Sequence, residues 1–99
     1  MTRETAARLA GYGIELAADG PRYRMFTRGS AVALVPVGAD AGAGIGSSGM
    51  MTEAGLAFLV WRDGRPYLAA KGRQTPATPA QVEEIASFSL DLKRALGGC

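Results

Sequence analysis

The chain has 99 residues, with 11 Lys and Arg against 9 Asp and Glu, a formal charge of +2, one cysteine and no histidine. The commonest general base and commonest metal ligand are therefore missing, and one cysteine can build neither a structural zinc site nor an internal disulfide. The length fits a single domain, 1–99, that buries about 60–68% of its unfolded surface.

No cofactor and no metal are expected. Met1 to Gly13 lacks the apolar core of a secretory signal. The longest apolar run, Leu56 to Trp61, falls far short of the ~20 residues of a membrane helix. The expectation is a reduced, cytoplasmic setting without a membrane partner. Cys99, the last residue, reads as an exposed thiol, with an intermolecular disulfide or redox handle as the alternative.

Thr2 to Ala10 reads as a short helix, favoured by Ala6, Ala7, Leu9 and Ala10 and by the Glu4–Arg8 spacing, and ended by Gly11 and Gly13. The period then changes to two. Ile14, Leu16 and Ala18 alternate along one segment, and Tyr23, Met25 and Thr27 along the next. A two-residue Asp19-Gly20 turn places Leu16 opposite Tyr23, Ile14 opposite Met25 and Glu15 opposite Arg24. Pro21, which lacks an N–H, argues for a longer loop. Ala31 to Val37 is a Val-rich strand closed by Pro36 and Gly38.

Gly38 to Gly49 contains five glycines in twelve residues and few large side chains, so it reads as a flexible loop that runs on to about residue 54. Asp63-Gly64 then sits between two apolar strands, Gly55 to Trp61 and Pro66 to Lys71. The hairpin pairs Arg62 with Arg65, Val60 with Tyr67 and Phe58 with Ala69. Leu56 to Trp61 is apolar on both faces and should be central and covered. Pro66 fits an edge strand. Thr78-Pro79-Ala80-Gln81 is a capping box with Pro at the first helical position. The helix that follows carries Val82, Ile85, Ser89, Leu92 and Leu96 on one stripe, widened by Ala86 and Phe88.

Gly44-Ile45-Gly46-Ser47-Ser48-Gly49 matches G-x-G-x-x-G in letters. Residues 38–43 separate it from the preceding strand, and a strand rather than a helix follows, so the phosphate-cradling geometry is not set up. Ser47 and Ser48 have no histidine partner and miss the G-x-S-x-G elbow. Glu83 and Glu84 point to different helix faces, and Asp19 and Asp63 are turn residues, so no acid–base carboxylate pair is evident.

Nine arginines against two lysines are the more informative set. Arg22, Arg24 and Arg28 share one face of a strand with Phe26. Arg62, Arg65, Lys71 and Arg73 cluster near Trp61 and Tyr67, and the segment from Gly55 to Thr78 carries +3. Such a face can stack and neutralise single-stranded nucleic acid. It can equally be the solvated face of a chain whose composition favours Arg and Ala.

Leu9, Gly13-Ile14-Glu15-Leu16, Asp19-Gly20 and Arg22-Tyr23-Arg24, with Thr78-Pro79 later, resemble the N-terminal docking domains of some peptide-synthetase and polyketide-synthase subunits. That resemblance implies dimerisation and a partner peptide held along the hairpin, with Arg22 and Arg24 in contact with it. A third strand, a glycine-rich segment and a second hairpin, which intervene before the Thr-Pro helix, depart from that pattern. As a whole the chain resembles uncharacterised small proteins of GC-rich proteobacteria, some of them known as antigens.

The sequence thus predicts an α+β fold: an antiparallel sheet of four to five strands, built from two hairpins plus one strand. A C-terminal helix packs on it, and a short helix precedes it. The functional expectation is a non-catalytic module that binds a protein partner or itself. Its contact surfaces are an edge strand from Arg65 through Tyr67 to Lys71, the adjacent Arg62, and the Arg22, Arg24 and Arg28 face. The alternative is weak nucleic-acid binding through the same Arg and aromatic faces.

Overall fold

The computed structural model describes residues 3–37, 47–53 and 55–97. Helix α1 (Arg3–Gly11) is followed by strands β1 (Glu15–Asp19), β2 (Tyr23–Arg28), β3 (Ala31–Pro36), β4 (Ser48–Thr52), β5 (Gly55–Arg62), β6 (Arg65–Ala70) and β7 (Arg73–Pro76), then helix α2 (Pro79–Gly97). The strands form one antiparallel sheet in the order β1-β2-β3-β4-β5-β6-β7. The fold is α+β as expected, but with seven strands rather than four to five.

The Asp-Gly hairpin forms in the predicted register, with Arg62 opposite Arg65, Val60 opposite Tyr67 and Phe58 opposite Ala69. Asp63 and Gly64 have φ of 51° and 76°, the backbone of a two-residue turn whose twist matches the strands. Two of the additional strands arise from features that local propensity does not announce. Lys71 and Gly72, at φ 49° and 77°, form a second turn of the same kind, and it adds β7. Strand β4 lies in the segment expected to be a loop, between β3 and β5.

Gly49 explains the position of β4. A Cβ there would run into the Ala57 carbonyl oxygen and stand 2.7 Å from Phe58 Cα, so only glycine lets β4 approach β5 this closely. Residues 38–46 of the expected loop, including the first half of the G-x-G-x-x-G match, lie outside the described residues, as does Cys99.

The first hairpin departs from its predicted register. Asp19 pairs with Arg24, Ala18 with Met25, Leu16 with Phe26 and Glu15 with Thr27. The connection is longer, as Pro21 demands, and a bulge between Leu16 and Ala18 absorbs the shift.

Both helices lie on one side of the sheet. Leu9 and Ile14 from the α1 end, Phe26 from β2, Ala31 and Ala33 from β3, and Phe88, Leu92 and Ala95 from α2 form one buried cluster. Ile85 extends the core over Met50, Ala57 and Leu68. Burying a side chain the size of Phe88 contributes about 1.5–3 kcal/mol, and Phe88 is the centre of the α2 stripe rather than its margin. The predicted capping box is reciprocal: Thr78 N–H donates to Gln81 Oε1 at 2.9 Å, and Gln81 N–H to Thr78 Oγ1 at 3.2 Å. At the other end, Arg8 Nε donates to the Ala95 carbonyl at 2.7 Å, which satisfies a terminal carbonyl with a cation and ties α1 to α2. No helix among the described residues is long and apolar enough to cross a membrane.

Candidate interaction surface

Side chains paired across antiparallel strands share a face, so the register sorts the sheet into two sides. Arg24, Phe26 and Arg28 on β2 lie on the helix side, with Ala31 and Ala33, Met50, Ala57 and Leu59, and Leu68 and Ala70. The alternate residues lie on the other side: Tyr23, Met25 and Thr27, then Val32 and Leu34, Met51, Leu56, Phe58 and Val60, and Tyr67 and Ala69.

No described element covers this second side. Tyr23 and Met51 are half exposed, at 50% and 49%, and Met25, Leu34, Leu56, Phe58, Val60 and Tyr67 are half-buried. Val32 is 1% exposed yet belongs to neither helix-side cluster. Its partner on β4 is Gly49. Strand β5 is therefore central and apolar on both faces as expected, but helices cover only one of them.

The predicted site residues are divided between the two sides. Arg24 Nε donates to Asp19 Oδ1 at 3.0 Å. Arg28 Nη1 donates to Asp91 Oδ2 at 2.7 Å and to the Tyr12 carbonyl at 3.2 Å, and its guanidinium stands 5.6 Å from the Phe88 ring centroid. These two arginines belong to the rim of the core, because Phe26 between them faces α2. Arg22 is exposed in the β1–β2 connection.

Arg62 and Arg65 face each other beside the Asp63-Gly64 turn, two residues along from the Val60–Tyr67 pair, so these two arginines and Tyr67 share one end of the uncovered side. Lys71 occupies the β6–β7 turn and lines a groove on the helix side.

The expected edge strand is not an edge. β7 pairs along β6 from Arg73–Ala70 to Pro76–Tyr67, and Ala77 N–H donates to the Pro66 carbonyl at 3.0 Å. The true edges are β1 and β7. The alternation of hydrogen-bonded and open pairs from the Lys71-Gly72 turn directs the Gln74 and Pro76 backbone outward. Pro76 has no N–H, so the exposed edge of β7 offers a single donor. β1 is short and bulged. Both are poor templates for strand addition, which leaves the uncovered face as the larger contact surface.

Sequence reasoning missed Met25, Leu34, Met51, Leu56 and Phe58 as surface residues. The signal was present in the double-sided apolar pattern of β5, which implies two covering layers in a chain with residues for one. Among the described residues there is no group of three or more His, Cys, Asp or Glu placed to hold a metal ion. Comparison with protein-family models, curated proteins and solved structures finds no match.

Proposed function

We propose that the chain is a non-catalytic protein–protein interaction module that docks its partner on the uncovered face of the sheet. One observation carries this reading: β5 presents Leu56, Phe58 and Val60 on a side that no described element covers, while Ala57 and Leu59 on its other side pack beneath α2. Contiguous exposed apolar patches of several hundred Å² mark interaction sites on soluble domains. Seven strands spaced about 4.8 Å apart give a face close to the ~800 Å² that one partner buries in a standard interface.

The partner is a second protein or a second copy of the chain. Sedimentation velocity at tens of micromolar under reducing conditions reads self-association, and capture from the source cells reads a different protein. Each is run beside Met51→Lys and Leu90→Lys; Leu90 is equally exposed but on α2. Association lost with Met51→Lys and kept with Leu90→Lys supports the uncovered face. Equal behaviour of the two variants, or no association at all, sinks it.

A second reading, weak binding of single-stranded nucleic acid, is favoured by Arg62 and Arg65 beside Tyr67 on the same face. It predicts affinity that falls steeply between low and physiological salt. Salt-independent or absent binding of labelled single strands removes it.

A further inference from the structure

The helical layer is shorter than the sheet. Phe88, Leu92 and Ala95 lie over β2 and β3 and Ile85 over β4 to β6, and α2 then begins at Pro79, just after β7. Between its first turn and β5–β7 no described element covers the sheet, and a groove of about 780 Å³ remains. Ala57, Leu68, Ala70 and Thr75 line it from the helix-side face of the sheet, Gln81 from α2, and Lys71 and Arg73 from the β6–β7 turn and the start of β7. The volume falls within the range of small-molecule sites, and a short apolar strip lies beside a lining that is otherwise polar and partly open to solvent.

We propose that this groove binds an amphipathic monocarboxylate, its alkyl part on Ala57, Leu68 and Ala70 and its carboxylate on Lys71 and Arg73. Three observations support this chemistry. Neither Lys71 nor Arg73 enters an ion pair among the described residues; the two pairs found there are Arg24–Asp19 and Arg28–Asp91. Lys71 also occupies a position its own backbone disfavours.

At φ 49° it takes the first place of a turn that selects Asn, Asp or Gly; the equivalent turn of the previous hairpin has Asp63. A lysine kept in the left-handed region is strained, and strain of that kind points to a use for the side chain. At the start of α2 the Thr78 and Gln81 amides are already satisfied by the reciprocal cap and Pro79 has no N–H, so the helix start competes little for the anion. Glu53 at the mouth of the groove repels a second negative charge, which favours a monoanion over a phosphate or dicarboxylate.

Titration of the ¹⁵N-labelled chain with decanoate at neutral pH tests the assignment, with decanol and decyltrimethylammonium as controls. Decanoate is expected to shift the amides of Ala57, Ala70, Lys71, Gly72 and Arg73 along a saturable curve of millimolar affinity, a value in line with so small a ligand. Decanol is expected to bind about tenfold more weakly, and the cation not at all. Ala70→Leu fills the groove and abolishes the shifts. Lys71→Asn suits the turn better than lysine does, so it raises the melting temperature while it weakens decanoate about tenfold. Equal responses to all three amphiphiles, shifts confined to the uncovered face, no response at all, or full affinity in Lys71→Asn would each overturn the proposal.

Discussion

Arg28 Nη1 donates to Asp91 Oδ2 at 2.7 Å while its guanidinium carbon stands 5.6 Å from the centroid of Phe88, three residues earlier on α2. One side chain therefore joins the end of β2 to the helix by charge and by an aromatic face. Its side chain and that of Asp91 remain 28% and 22% exposed, so water screens the pair and a modest contribution follows. Arg28→Ala is expected to destabilise by about 1–2 kcal/mol, with the cation–π contact and the lost packing of the stem included. Asp91→Ala should cost less, about 0.5–1 kcal/mol. Urea denaturation of the two single variants and the double variant measures the coupling, and a coupling indistinguishable from zero refutes the clamp.

Gly49→Ala should be far worse than its chemistry suggests. The added methyl meets backbone of β5, which cannot rotate aside as a side chain can. The expected loss is about 3 kcal/mol or more, read as a fall in the urea midpoint or as insoluble expression. Gly97→Ala, at the exposed end of α2 with no atom within 4 Å of its Cβ, is the control and should be near neutral. A mild Gly49→Ala would mean that β4 and β5 are not this close.

Thr78→Ala removes one half of the reciprocal cap and is expected to cost about 1 kcal/mol. Thr78→Asp keeps an acceptor for the Gln81 N–H and adds charge favourable to the helix start, so thermal unfolding should place it at or above the parent. If alanine and aspartate are equally destabilising, the hydroxyl matters for another reason.

Tyr23→Lys and Met51→Lys replace half-exposed side chains of the uncovered face and should leave stability within about 0.5 kcal/mol. Leu92→Ala, on the helix-covered side at 0% exposure, should cost about 2–5 kcal/mol. Paired denaturation curves make the contrast. A large loss from Met51→Lys would show that its side chain is structural rather than available to a partner.

What could be read from the residues depended on whether local chemistry or tertiary fit decides each element. Thr78 and Gln81 cap a helix by themselves, and Asp63-Gly64 turns a chain by itself, so α2 and the β5–β6 register were legible down to individual pairs. β4 was not, because Gly49 and its serine neighbours have poor strand propensity and its place rests on close approach to a strand met later in the chain. β7 was lost because Lys is an unusual first residue for its turn. Alternation put Arg24, Phe26 and Arg28 on one face correctly, but Arg22, expected on the same strand face, lies in the β1–β2 connection before β2 begins. It could not say that Phe26 would draw that face inward, nor that no described element would cover the other side of β5.

The order β1 to β7 has each strand beside its chain neighbours and no other. Every ladder but β3–β4, whose strands are eleven residues apart, therefore closes only a short loop, at low entropic cost, so the sheet can assemble hairpin by hairpin from more than one starting point. The distant contacts, Arg8 to Ala95 and Ile14 to the α2 cluster, form only when α2 swings back across the finished strands. Before that docking both faces of β5 are open to water, and the risk of chain-to-chain association during folding is concentrated in that interval.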